Sequence, residues 1–429
     1  LKRVLIISPY FPPVNAADMH RVRMSLPYYK SFGWEAELVT VNPKHSEISI
    51  DEMLLKNIPN EIIIHQVEAF NYKWTRKFGL GSIALRSLWF YKKRVNQILK
   101  NEHFDLIFFS TTQFPLLILG NYWKNKFKIP YVIDMQDPWH STYYNDKPVN
   151  ERPPKYWFSY QLNKYLEPIA MNAVDGLISV SQGYLDTLEN RYKRLIKVPQ
   201  QVIPFGILKK DFEWVRQNEK HFKQHYIKKN EQIDFVYVGR GGYDMRKAVV
   251  LLFNAFKEGL KTNNEQFRNI RFHFIGTSYA PEGKGVPTIL PIANEMGITA
   301  YVNEQTDRIS LYQSIYTLMN ADALIILGSE DQQYTGSKVF PYIMAERPLL
   351  AILHPESSAT QILLNCNAAD IISIMAPENQ STELIYNYLY KASLRKILSK
   401  KTNWPAFDSY SAENLCKQQC ELFNKVLIS

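Results

Sequence analysis

Two segments in the second half of the sequence combine glycines with cations in the manner of a phosphate site. The first is Gly239-Arg240-Gly241-Gly242, followed by Met245-Arg246-Lys247. Glycines let a backbone approach a ligand closely, and Arg240 and Lys247 carry the charge to neutralise phosphate oxygens. The second is Gln333-Tyr334-Thr335-Gly336-Ser337-Lys338, which opens an expected helix reaching about Glu346. Free amides at such a helix start, its dipole and an ammonium group make an anion site of Thr335, Gly336, Ser337 and Lys338. The full Walker spacing is absent, so NTP hydrolysis is not supported. A glycine turn with solvated cations is the simpler alternative for the first segment.

Two segments in the first half carry acids and a rigid loop instead. Tyr131-Val132-Ile133-Asp134-Met135-Gln136-Asp137-Pro138-Trp139-His140 ends an apolar run with two carboxylates and a bulky aromatic. A carboxylate at a strand end in a cleft can orient a hydroxyl, accept its proton or stabilise developing positive charge. Asp137 is the catalytic candidate, because Pro138 stops any helix and leaves the side chain at the rim; Asp134 fits a turn cap. The loop 9–18, Pro-Tyr-Phe-Pro-Pro-Val-Asn-Ala-Ala-Asp, is expected to offer backbone N–H groups to an anion or a sugar hydroxyl. A rigid proline-bearing turn explains it equally well. The chain holds no GxGxxG, which disfavours a dinucleotide-dependent dehydrogenase. It also holds no Asp-x-Asp and no Cys/His metal spacing, so cations and helix amides are expected to replace a metal.

These residues need strands and helices to position them. Apolar runs recur at 3–8, 36–41, 62–66, 105–109, 130–134, 176–180 and 201–204, then at 233–238, 271–275, 300–302, 323–327 and 349–353. Several are continuous rather than alternating, as in parallel strands buried on both faces. Helical stretches separate them, and the first is expected over 19–32, stopping at Gly33. The class is therefore α/β with parallel sheets. The alternation pauses over 205–231, a charged stretch, and then restarts. Two doubly wound domains follow from this: 1–205 joined by a C-terminal helix (about 407–429), and 206–406.

With 429 residues, two or three cores are expected. Hydrophobic residues at 46% and charged residues at 21% exclude a disordered chain. The net charge of +10 implies an anionic partner. Residues 70–103 concentrate that charge: Lys73, Arg76, Lys77, Arg86, Lys92, Lys93, Arg94 and Lys100 stand with Trp74, Phe78, Trp89, Phe90 and Tyr91. This composition suits an anionic membrane surface, or else a packed amphipathic helix with a solvated face. No nucleic-acid-binding signature accompanies it. No apolar run reaches the roughly 18 residues of a bilayer span, no charged-then-apolar leader opens the sequence, and Cys366, Cys416 and Cys420 are few and odd in number. A cytoplasmic protein, peripheral on the inner face of the membrane, is expected.

Taken in order, the segments resemble the retaining glycosyltransferases of the GT-B fold, in particular family 4 (glycosyltransferase group 1). Residues 3–41 resemble the family's opening strand, Pro-Pro loop and helix. Tyr131 to Trp139 resembles "D-x-R-D-x-W", with Gln136 in place of the usual Arg, and 202–211 resembles the domain-joining "I-P-N-G-x-D" turn. Val238 to Lys247 resembles "V-G-R…K-G", and Ser337 to Ile352 resembles "S-K-x-F-E-Y-x-A-A-G-K-P-I-L-A". The sequence departs from the pattern at Pro341, where a ribose-binding Glu is common, at Glu346, where Gly is usual, and at Asn15-Ala16, where Gly-Gly is usual.

The resemblance implies two Rossmann-like domains facing across a cleft, with the C-terminal helix returning to the first. It implies a nucleotide diphosphate sugar as donor, gripped through Gly239, Arg240, Lys247 and the 335–338 helix start. The acceptor, a glycan or lipid-linked precursor, would lie near Asn15, Ala16, Asp18 and Asp137. Such enzymes retain anomeric configuration, and Glu330 or Asp331 would serve the sugar hydroxyls in place of the missing Glu. A nucleotide-sugar epimerase and a non-catalytic nucleotide-sugar binder share this architecture and stay open as alternatives at this point.

Overall fold

The apolar runs form strands whose alternate side chains enter two different cores. In the computed structural model, residues 1–141, 145, 152, 156–280, 282–330, 332 and 338–428 are described. They divide into two units, Leu1–Gly206 with Ser411–Ser429, and Ile207–Tyr410.

Unit 1 is built on seven parallel strands: β1 (Lys2–Ile7), β2 (Trp34–Val41), β3 (Ile63–Val67), β4 (Leu106–Ser110), β5 (Tyr131–Met135), β6 (Gly176–Ser179) and β7 (Gln200–Val202). Their order is β3-β2-β1-β4-β5-β6-β7. Leu5 and Ile7 of β1 face one core with Val39, Ile107 and Ile133. Val4 and Ile6 face the other, with Leu38, Leu106 and Phe108. The two-residue side-chain period thus explains why the strands read as continuous apolar runs.

The C-terminal helix Ala412–Val426 covers the second core. Phe423 is fully buried there and packs on Tyr29, Trp34 and Phe108, with ring centroids 6.4, 5.3 and 5.1 Å away. Gly176 makes this approach possible: a Cβ on it would sit 2.6 Å from Val426 Cγ2 and 3.0 Å from Val132 Cγ2. Ser411 Oγ accepts the Asn414 N–H and caps the helix start. Buried Gln419 accepts from Tyr29 Oη and donates to Ser25 Oγ, so its amide is satisfied inside the core.

The helix expected over 19–32 is shorter. It runs His20–Ser25, and a separate 3₁₀ turn, Tyr29–Phe32, ends at Gly33 with φ +82°. Pro27 breaks it, because proline has no N–H to donate and its ring clashes with the preceding turn.

Unit 2 has six parallel strands: β8 (Ile233–Val238), β9 (Ile270–Ile275), β10 (Val302–Gln305), β11 (Ala323–Leu327), β12 (Leu349–Leu353) and β13 (Asp370–Ser373). Their order is β10-β9-β8-β11-β12-β13. The run at 300–302 proves to be a 3₁₀ turn, Thr299–Tyr301, leading into β10. β13 is a four-residue edge strand whose apolar signal is too short to stand out from its surroundings. The helix Arg246–Thr262 packs Val249, Leu252, Phe253 and Phe256 against the inner face of the sheet.

The strand order reverses between β1 and β4 in unit 1, and between β8 and β11 in unit 2. Connections leave such a point in opposite directions and open a crevice beyond the carboxyl ends of the strands. The loops that follow these four strands hold most of the chemistry noted in the sequence. Among the described residues no helix is long and apolar enough to cross a membrane.

Candidate active site

In unit 2, β8 delivers the chain directly into the Gly239–Gly242 turn. Gly239 has φ +146°, and a Cβ there would collide with the terminal atoms of Lys338. The positive φ favours glycine at this position, and the missing Cβ leaves room for the Lys338 side chain. The Lys338 ammonium donates to Tyr237 Oη at 3.2 Å and lies 5.2 Å from the centre of the Tyr237 ring. Tyr237 Oη in turn donates to the Arg240 carbonyl at 2.7 Å, so one buried phenol fixes both the turn and the lysine.

Burial of the ammonium end holds Lys338 down at about 7, with Arg240 and Arg308 pressing in the same direction and Asp244 opposing them. A lysine so placed gains from any anion that joins it. Arg240 pairs with Asp244 at 2.6 Å across the glycine turn, and Lys247 pairs with Glu330 at 2.9 Å. Glu330, expected to meet sugar hydroxyls, therefore neutralises Lys247 in this structure. Thr335, Gly336, Ser337 and Asp331 lie outside the described residues.

The helix after Lys338 runs Val339–Met344, two residues short of the expected end at Glu346. Pro341 sits in its first turn, where the missing N–H has no intrahelical acceptor and costs little. No carboxylate stands there. Glu346 adopts φ +55°, so this chain keeps a left-handed backbone at the position where glycine is usual.

In unit 1 the acids fall into two settings. Asp134 is fully buried, with Arg21 Nε 2.7 Å from its Oδ2. Ser110 Oγ and Gln136 Nε2 donate to that same oxygen at 2.9 and 2.8 Å. Arg21 also donates to the carbonyls of Ile203 and Pro204, tying β5 to the end of the first unit. Asp134 is thus the centre of a buried network rather than a turn cap.

Asp18 is also buried, and accepts from Thr111 Oγ1 at 2.9 Å, Thr112 N at 3.1 Å and Thr112 Oγ1 at 3.3 Å. Burial pushes its carboxyl up, and these hydrogen bonds oppose the shift. Asp137 stays solvent-exposed, yet protein crowding pushes its carboxyl up to about 6, with the Asp18 charge adding to the effect. Asp137 is thus an exposed carboxylate held above the usual carboxylate range.

Three N–H groups of the loop 9–18 are turned inward. The N–H of Asn15 donates to Ser49 O, that of Ala16 to Val14 O, and that of Val14 to Phe11 O. A bridge between Val14 and Ile50 holds the loop in place. Asn15 and Ala16 are both buried.

The sequence reading missed Tyr237, Arg308 and the Arg21–Asp134 pair. Arg308 and Arg21 lie far along the chain from their partners, and only the parallel pairing of strands brings them together. Tyr237 reads as an ordinary strand residue; its position one residue before Val238-Gly239 was the available signal.

Comparison with known proteins bears on what this geometry serves. Residues 32–207 match the family model described as Glycosyltransferase Family 4. All but the last residue of the matched segment lies within unit 1, and the fold of the chain as a whole is that of the two-domain GT-B proteins. Solved structures agree on the fold. The trehalose-6-phosphate phosphatase N-terminal domain of Candida albicans aligns at TM-score 0.62 and 12% identity, over 99% of this chain and 97% of that one. HepE of Anabaena, solved with UDP and glucose, gives 0.53 and 13% over 98% and 97%. TarM of S. aureus, solved as a variant with fondaparinux, α-GlcNAc-glycerol and UDP, gives 0.59 and 10% over 99% and 100%. No curated protein matches the chain significantly in sequence.

Proposed function

We propose that this chain is a glycosyltransferase that moves a sugar from a nucleotide diphosphate sugar to a hydroxyl of a glycan or lipid-linked acceptor, with retention of configuration and without a metal. The observation that carries the reading is the Lys338 ammonium, packed on Gly239 and Tyr237 and surrounded by the charge of Arg240 and Arg308 at the switch point of unit 2. Cations confined in a partly desolvated crevice stabilise the charge that develops as the diphosphate leaves. That is a transition-state contribution rather than uniform binding. Unit 1 supplies the acceptor side, where Asp137 is the carboxylate able to orient the incoming hydroxyl. The UDP present in the HepE and TarM structures makes uridine diphosphate sugars the first donors to try.

The reading extends to a peripheral place on an anionic membrane. Phe70, Trp74, Leu80 and Trp89 are exposed beside Lys73, Lys77, Lys92 and Lys93, and Phe70, Phe90 and Trp89 form one ring cluster. Arg86 does not belong to that surface. It is buried, donating to the carbonyls of Phe70 and His45.

The test is to incubate the purified chain with UDP-sugars, with and without lipid-linked and free glycan acceptors, and to follow release of nucleoside diphosphate. Release that needs an acceptor and survives added chelator is expected. Interconversion of the sugar with no acceptor would identify an epimerase instead. Loss of turnover with chelator would refute metal independence.

A further inference from the structure

Beside Asp18, the loop after β4 opens into a pocket of about 410 Å³ that lies wholly within unit 1. Thr112, which donates to Asp18, is one of its lining residues, so the pocket adjoins the acid expected on the acceptor side. Its walls are the Tyr72 ring, the Phe114 ring and the exposed Phe158 ring at the start of the helix Tyr156–Met171. Phe114 is held flat by stacking on buried Trp139, with centroids 5.5 Å apart and planes 15° apart. Asn163 accepts from Trp139 Nε1 through its Oδ1, which turns its Nδ2 hydrogens to other use.

The one charged group in this lining is Arg76, which lies over Tyr72 at 5.8 Å. Among the described residues no carboxylate lines the pocket and none comes within ion-pair distance of Arg76. Fixed aromatic faces with amide donors suit the C–H faces and hydroxyls of a sugar ring. A guanidinium without a counter-ion at the same place suits a carboxylate or phosphate on that ring.

We infer that this pocket holds the non-reacting part of the acceptor, a sugar residue bearing an acidic group, with the anion on Arg76 and the ring against Phe114 and Phe158. The inference rests on the sugar-transfer reading above and narrows its acceptor to an acidic glycan. It accounts for the pocket having both stacking surfaces and one cation that no described carboxylate neutralises, which neither a neutral glycan nor a plain lipid tail would call for.

The probes are methyl β-glucoside, methyl β-glucuronide, glucose 1-phosphate and inorganic phosphate, titrated into the full chain by ligand-detected NMR. Variants are Arg76→Ala, Phe158→Ala and, as a remote surface control, Lys193→Ala. One or both of the charged sugars should bind about tenfold more tightly than the neutral glycoside, the equivalent of one charge-assisted hydrogen bond. A preference for the glucuronide or for the phosphate sugar tells which anion the site takes. Arg76→Ala should abolish the preference, Phe158→Ala should weaken every sugar, and Lys193→Ala should change neither. Equal binding of charged and neutral sugars, binding of inorganic phosphate as tight as that of the sugars, or a preference that survives Arg76→Ala would each overturn the inference. UDP titrated into the same samples separates the two readings. UDP bound normally with no acidic-sugar preference refutes the pocket assignment alone, whereas absence of UDP binding tells against the donor site whatever the pocket does.

Discussion

At the scale of single residues, Lys338 is the group whose chemistry is most constrained by its surroundings. Its ammonium is held at about 7, chiefly by burial, so in the ligand-free protein it is mostly charged below that pH and mostly neutral above it. A diphosphate binds the charged form. Affinity for a nucleoside diphosphate should therefore fall as pH rises from 7 to 9, and binding at pH 8 should take up a proton. Calorimetry at pH 8 in two buffers of different ionisation enthalpy measures that uptake directly; a buffer-independent heat would show that Lys338 does not touch the diphosphate. Lys338, Arg240 and Gly239 were legible in the sequence because glycine and cation spacing is a local pattern. The pairing of Lys247 with Glu330 was not, since it depends on β8 and β11 lying side by side. The inward turn of the Asn15 N–H was not legible either: it depends on Ser49, and nothing within the loop records that.

At the scale of elements, the helix Ala412–Val426 shows how the end of the chain completes the first unit. Phe423 fills the space under Tyr29, Trp34 and Phe108. Phe423→Ala should remove about 3–5 kcal/mol from the stability of unit 1, the usual cost of a buried phenylalanine cavity. Urea unfolding followed by tryptophan fluorescence would show it, since Trp34 packs directly on Phe423; a loss below about 1 kcal/mol would mean that the helix is not integral to the unit. The long apolar strands and this helix were readable because each has a strong period and clear punctuation. The short elements were not: β13 carries only four residues, and Pro27 outweighs an otherwise helical pattern over 19–32.

At the scale of the whole molecule, each unit has a strand-order reversal, and each reversal carries one side of the proposed reaction. The net charge of +10 has at least two destinations. One is the crevice proposed for the diphosphate. The other is the exposed aromatic and lysine surface around Trp74 and Trp89, for which we predict sedimentation with vesicles of anionic lipid, weakening as salt is raised and lost in a Trp74→Ala, Trp89→Ala double variant. Equal sedimentation with neutral vesicles would assign the surface to another role.

The central claim is that Lys338 and Arg240 grip the donor diphosphate. Titration of UDP into the native chain and into Lys338→Met and Arg240→Ala variants tests it most directly. Micromolar-range binding that weakens by a factor on the order of 10² in each variant is the expected result, the size of effect that follows from removing a charge-assisted hydrogen bond at a partly buried site. Unchanged affinity in both variants would contradict the account.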